Sequence, residues 1–273
     1  MPLSNNALRV IVSIFAIPVI LAASYFGNLF FLLLILLIAI ISYYEFCMLV
    51  KKKEMFPNLW LGLISVTFIV INQSMHFWDI YSFILLLVVL LCVIELFRNK
   101  GSAIFNLGST LLGVFYIGFS SSSIIAIREF YPNLGDLYLR GGYLIISILA
   151  AIWVCDSAAY YGGTALGKHK LFPRISPQKS WEGAIFGFIF AIVTMLLAKI
   201  IILNFLFLNT TILLGIIIGT IGQIGDLVES LFKRDAGVKD SSNIIPGHGG
   251  IFDRFDSLLF SAPVILLYLR YIG

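Results

Sequence analysis

The chain has 273 residues, 60% hydrophobic and 12% charged, with 18 basic and 14 acidic side chains for a net charge of +4 and a mean hydropathy of +1.02. Soluble domains carry roughly 25% charged residues. The composition therefore excludes a water-soluble globular core and describes an all-α, polytopic integral membrane protein, and nothing in it points to a nucleic-acid partner.

Apolar runs long enough to read as spans fall near 8–25, 28–50, 57–73, 78–97, 103–127, 142–162, 182–204, 210–232 and 255–272, so about nine transmembrane helices are expected. The first run reads as a span and not as a cleavable signal, because further spans follow it. The third is short and contains Gly62, which leaves eight or ten spans open. The three cysteines, Cys47, Cys92 and Cys155, lie singly in apolar runs and read as small buried hydrophobes. Glu45 and Glu95 stand near the ends of the second and fourth runs, each followed by basic residues, and pairing at the membrane interface accounts for both.

Basic residues orient the chain. Lys51, Lys52, Lys53, Arg98, Lys100, Lys168, Lys170, Arg174, Lys179, Lys233, Arg234, Lys239 and Arg254 are thirteen of the eighteen, and all fall on one side of a nine-span arrangement. That side is cytoplasmic by the positive-inside rule, which puts the amino terminus outside.

Two stretches carry chemistry. In the first, Asp156 lies inside an apolar helix with Tyr160 one turn on, where a hydrogen bond between helices and a ligand role are both open. Gly167-Lys168-His169-Lys170 and Ser176-Pro177-Gln178-Lys179-Ser180-Trp181-Glu182-Gly183 follow. Ser180 is suited to cap the next helix with Glu182 in its first turn, and topology accounts for Lys168 and Lys170. Capping does not explain Lys179.

The second stretch, Gly225 to Asp256, holds six acids, Asp226, Glu229, Asp235, Asp240, Asp253 and Asp256, with four bases and His248. If its start is helical, Asp226 and Lys233 share a face, with Glu229 about 60° away. Gly247, Gly249 and Gly250 around His248 read as a loop able to offer backbone N–H groups to an anion. Two carboxylates, Asp226 and Asp253, flank a basic, glycine-rich segment, a composition suited to magnesium-assisted phosphoryl-type transfer. Lys233, Arg234, Lys239 and Arg254 supply positive charge. The bland alternative is a solvated loop whose charges merely pair.

The run Ser230-x-Phe232-Lys233-Arg234-x4-Lys239-Asp240-x-Ser242-x2-Ile245-Pro246-x-His248-Gly249-Gly250-Ile251-x-Asp253-Arg254-Phe255-Asp256 resembles, over 27 positions, the signature of the phosphatidate cytidylyltransferase (CDP-diacylglycerol synthase) family. The stretch around Asp156 to Gly183 is similar to the same family, departing from it at Ala158 and at Gly163 or Thr164. The resemblance implies a homodimeric membrane enzyme that joins CTP to phosphatidic acid and releases pyrophosphate with Mg2+. One or two divalent ions are expected, and a second, different cation is open. It also implies a bacterial-type cell (inner) membrane and an active site on the cytoplasmic side. Residues 1–140 are expected to form a helical scaffold with possible dimer contacts, and 141–273 the catalytic region with its signature at 230–256.

On this reading the expected catalytic residues are Lys233, Asp226 and Asp253, and the metal ligands Asp226, Asp253 and Asp256. Arg234, Lys239, His248, Gly249, Gly250, Arg254, Lys179 and Ser176 are expected to bind substrate. Two other readings stay open: a transporter using Asp156 and Asp226 as intramembrane ion ligands, and a CTP-dependent lipid kinase, which would deliver phosphate instead of cytidylate.

Overall fold

Every apolar run of the sequence is helical. The computed structural model describes residues 5–242, 244 and 249–272, with side chains from Val12 onward. In chain order the helices are α1 (Asn5–Phe26), α2 (Asn28–Lys51), α3 (Leu59–Met75), α4 (Ile80–Leu96), α5 (Ala103–Gly113), α6 (Ser120–Arg128), α7 (Asp136–Leu166), α8 (Trp181–Ile201), α9 (Leu208–Ile217), α10 (Gln223–Asp235) and α11 (Phe252–Tyr271). One π-helical segment, Val114–Phe119, joins α5 to α6, and another, Ile218–Gly222, joins α9 to α10. A two-stranded antiparallel hairpin, β1 (Lys170–Phe172) and β2 (Ser176–Ser180), interrupts the helices between α7 and α8.

The expectation of about nine transmembrane helices is corrected. Among the described residues five helical rods are long and apolar enough to cross a bilayer: Asn28–Lys51, Ala103–Arg128, Asp136–Leu166, Trp181–Ile201 and Leu208–Asp235. Length decides the difference for α3 and α4, of 17 residues each. At about 1.5 Å per residue they measure about 25 Å, short of the ~30 Å hydrocarbon layer. The described apolar part of α1, Val12–Phe26, is shorter still. Charge weighs against α11, which opens with Asp253, Arg254 and Asp256 and ends near Arg270.

The chain divides into two units. The first comprises Met1–Ala23, Asn28–Ala126 and Phe232–Phe255. In it α2 is the central helix, burying Phe31, Ile35, Ile38, Tyr43 and Phe46. Glycine allows the close approach of its neighbours: a Cβ at Gly62 would collide with the Tyr43 ring, and one at Gly113 with Phe46 and Tyr43. The Phe46 ring meets Phe232 at 5.9 Å and Phe252 at 6.5 Å, edge to face. Glu95 behaves as expected, lying 3.5 Å from Arg98 while also accepting from Asn106 Nδ2 at 2.6 Å.

The second unit comprises Ser24–Gly27, Ile127–Leu231 and Asp256–Gly273. Here α8 packs along α7 through small residues: a Cβ at Gly183 would press on the Ala159 carbonyl, and one at Gly162 on Phe186. Gly215 and Gly219 give the α9 rod the same closeness to Ile192 and Phe188 of α8. Arg128, 1% exposed, is wholly inside this unit and donates to the backbone carbonyls of Ser24, Tyr25 and Tyr138.

Candidate active site

In the second unit, Ser180 caps α8 as expected, its Oγ accepting from Gly183 N at 3.2 Å. Glu182, in the first turn, reaches back to the turn before the hairpin and accepts from Lys168 N at 3.1 Å and from His169 N, with His169 Nδ1 at 2.6 Å. The hairpin is thus tied to the start of α8 at both its ends, since Trp181 N also donates to the His169 carbonyl. The effect is to fix β2, and with it Lys179. Its ammonium group pairs with Asp226 Oδ2 on α10, the partner that capping could not supply.

Asp226 also lies 3.4 Å from Ser230 Oγ, one turn further along α10. Asp256, buried, takes its own helix's Ser257 N–H on Oδ1 at 2.6 Å and feels the charges of Asp226, Asp156 and Lys179. Lys179 and Asp226 thus form a direct pair in this unit, within electrostatic reach of Asp256 and Asp156. The unit also holds an apolar groove of about 490 Å³ lined by Val154, Ser157, Ala158, Tyr161, Gly162, Phe186 and Phe190. Ser157 and Ala158 directly follow Asp156 in the chain.

In the first unit, Lys233 donates to Asp253 Oδ1 at 2.9 Å, with both side chains largely buried at 12% and 6% exposure. The other oxygen, Asp253 Oδ2, accepts from Gly250 N at 2.8 Å, Ser241 N at 3.0 Å and Ser241 Oγ at 3.0 Å. Gly249 stands beside this carboxylate with φ +79°, where a side chain would be strained and would press on Asp253 Oδ2. Arg234 is exposed and donates to the Val238 carbonyl of the chain just after it. Lys239 and Arg254 are exposed, and Ser176 sits where β2 begins, opposite Phe172. His248 lies outside the described residues.

Sequence reading assigned Glu45 to interfacial pairing. The structure shows another arrangement: Glu45 is fully buried in the first unit and accepts from Phe252 N, Ile251 N and the hydroxyls of Ser241 and Ser242. No local signal marks this role, because its partners lie about 200 positions away.

The donor chemistry suits magnesium, a hard cation that takes carboxylate oxygens. Among the described residues no three His, Cys, Asp or Glu side chains converge as a ready metal cluster. Magnesium is commonly held by one or two carboxylates and completed by water and substrate phosphates.

A family model described as the cytidylyltransferase family matches residues 7–272. The chain is 37% identical to the phosphatidate cytidylyltransferase of Staphylococcus haemolyticus (strain JCSC1435) over 214 residues, 76% of each chain. It is 39% identical to that of Staphylococcus aureus (strain COL) over 184 residues, 65% of this chain and 70% of that protein. With the enzyme of the same name from Haemophilus influenzae it shares 44% identity over 137 residues, 45% of this chain and 44% of that protein.

Proposed function

The chain belongs to the cytidylyltransferase family of membrane nucleotidyltransferases of phospholipid biosynthesis, and from that premise we propose that it transfers cytidylate from CTP to phosphatidic acid, yielding CDP-diacylglycerol and pyrophosphate. The observation that carries this reading is the occurrence of two lysine–aspartate pairs: Lys233–Asp253 inside the 230–256 signature, and Lys179–Asp226, which links the other family-like stretch to the residue four positions ahead of the signature.

The phosphate monoester of the lipid is largely ionised near neutral pH, since such groups have a second pKa near 6. Its oxygen forms a bond to the α-phosphorus of CTP while the bond to the β-phosphate oxygen breaks, and pyrophosphate leaves in line. No strong general base is needed. The work left to the protein is to align two polyanions and offset their repulsion. Lys233 stabilises charge on the transferring phosphoryl group. Lys179, Arg234, Lys239 and Arg254 hold phosphate oxygens, with His248, Ser176 and the backbone N–H of Gly249 as further donors, while Gly250 shapes the same loop with its N–H on Asp253. The carboxylates proposed as ligands of one or two Mg2+ ions are Asp226 and Asp256 of the second unit and Asp253 of the first, and the metal would supply charge neutralisation for the phosphates when bound. The apolar groove beside Asp156 suits an acyl chain of the lipid, which cannot leave the bilayer cheaply at about 0.8 kcal/mol per buried CH₂. The polar residues face the cytoplasm, where CTP is found, and two copies of the chain associate.

Purified protein in detergent, given phosphatidic acid, magnesium and CTP labelled separately at its α- and γ-phosphates, tests the reading. Label from the α-position is expected in the lipid, with γ-label released as pyrophosphate. Label from the γ-position in the lipid would make the protein a lipid kinase, and no transfer of either label would overturn the reading.

A further inference from the structure

Glu45 is the least explained charge in the first unit: a carboxylate on α2 with no exposed surface. Such an anion persists away from water only when donors replace its hydration. Four do. Oε1 accepts from Ile251 N at 3.1 Å and from Ser242 Oγ, and Oε2 accepts from Phe252 N at 2.7 Å and lies 3.1 Å from Ser241 Oγ. Phe252 opens α11 and Ile251 directly precedes it, at a helix end where N–H groups have no partner within their own helix and where a negative charge is favoured. Glu45 thus caps α11 from another helix.

The groups that bind Glu45 are entangled with those that bind Asp253. Ser241 Oγ lies between the two carboxylates, 3.1 Å from one and 3.0 Å from the other, and its single proton serves one of them at a time. Gly250 gives its N–H to Asp253 Oδ2, while a Cβ on the same residue would collide with Ser241 Oγ and press on both oxygens of Glu45. Asp253 in turn accepts from Lys233. A displacement of Glu45 therefore reaches Lys233 through two residues.

We propose that Glu45 is a positioning residue for the cytidylyl transfer: from α2 it shapes the backbone around Ser241, Gly250 and Phe252 so that Asp253 meets Lys233 in one fixed orientation. The proposal rests on the function read above. It also accounts for Gly250, since the space a side chain would need is taken by the Glu45 carboxylate.

The test compares full-length wild type with Glu45→Gln, Glu45→Asp and Glu45→Ala in detergent, following cytidylate transfer to phosphatidic acid and, separately, amide hydrogen exchange at Gly250, Ile251 and Phe252. Glutamine keeps the volume but turns one acceptor oxygen into a donor facing N–H groups or hydroxyls. Glu45→Gln is expected to lower kcat by about tenfold or more with KM for CTP little changed, the pattern of a lost transition-state arrangement. Exchange at the three amides should rise. Glu45→Asp, which keeps the charge, should recover part of both. Wild-type kcat in Glu45→Gln, or unaltered exchange at these amides, would overturn the proposal. So would a loss that follows only the amount of folded protein, with kcat per folded molecule intact. Should Glu45→Ala fail to fold, Glu45→Gln decides. An inactive wild type would instead overturn the function, whereas an active wild type with indifferent variants would overturn only the role of Glu45.

Discussion

Lys179 and Lys233 each pair with an aspartate, yet their surroundings assign them different costs. The Lys179–Asp226 pair is about one-third exposed, at 29% and 34%, and such pairs contribute about 0–1 kcal/mol. Lys179→Ala is therefore expected to leave the thermal midpoint in detergent within a degree or two of wild type while cutting cytidylate transfer by about a hundredfold. A large fall in midpoint with activity retained would reverse the assignment of Lys179 from substrate binding to structure. Lys233–Asp253 is largely buried, and removing the lysine leaves a buried carboxylate without its cation, at a cost of about 3–5 kcal/mol. Lys233→Met should lose both stability and turnover, and unfolding melts recorded alongside the rate would separate the two losses. Gly250→Ala belongs with it. Its added methyl must displace Ser241 Oγ or the Glu45 carboxylate, so the variant should melt earlier and turn over more slowly even though alanine adds no charge. A variant with the wild-type melt and rate would show that this corner has room to spare.

Among the elements, α6 ends on the most deeply buried basic side chain of the described residues. Arg128 donates from Nε to Ser24 O at 2.6 Å, from Nη2 to Tyr25 O at 2.9 Å and from Nη1 to Tyr138 O at 3.0 Å, and its guanidinium lies 4.1 Å from the Tyr138 ring centre. It collects carbonyls in the last turn of α1, the end of a helix where carbonyls point away from the intrahelical ladder, and Gly27, Gly141 and Gly142 make the space for it. Arg128→Met keeps the apolar stem and removes the donors, and a lost hydrogen bond from a charged group costs about 1.5–3 kcal/mol. The expected result is a clear drop in the detergent melting point with kcat per folded molecule unchanged. A lower kcat at an unchanged melting point would place Arg128 in the catalytic machinery instead. The contrast between Arg128 and Ser180 also shows which parts of the fold are legible in the sequence. Ser180 and Glu182 form a local pattern within three residues, and the helix cap appears where that pattern stands. The apolar runs are equally local, and each becomes helix. The partners of Arg128 at Ser24 and Tyr25 are 104 and 103 positions away, and those of Glu45 lie 196 to 207 positions away. No periodicity or cap signal can announce such pairings. The hairpin escapes for another reason: its strands have three and five residues, too few for an alternating pattern to emerge. Within the candidate site, Asp226, Lys233 and Asp253 stand out because charge is rare around them. Glu45 does not, because it sits where a positive-inside chain normally turns, next to Lys51 to Lys53.

For the whole chain, the proposed orientation can be followed rod by rod through the bilayer. If the Lys51 end of Asn28–Lys51 is cytoplasmic, the chain goes out along Ala103–Arg128, returns along Asp136–Leu166, goes out again along Trp181–Ile201 and returns along Leu208–Asp235. Alternation then leaves Lys51 to Lys53, Lys168 to Lys179 and Lys233 to Lys239 on the cytoplasmic side without any further crossing. The two shorter helices α3 and α4 come as a pair, so the side reached at Lys100 is the same whether both cross or neither does. The count of crossings can thus fall below nine without moving the basic loops. Two positions in the second unit report the outcome: Arg174 in the hairpin, exposed, and Phe207 just before α9, 78% exposed. With Cys47, Cys92 and Cys155 replaced, Phe207→Cys in intact cells is expected to react with a membrane-impermeant maleimide, and Arg174→Cys only after the membrane is opened. The opposite pattern would put the hairpin, and the Lys179–Asp226 pair it holds, away from cytoplasmic CTP, and would overturn the proposed orientation of the reaction.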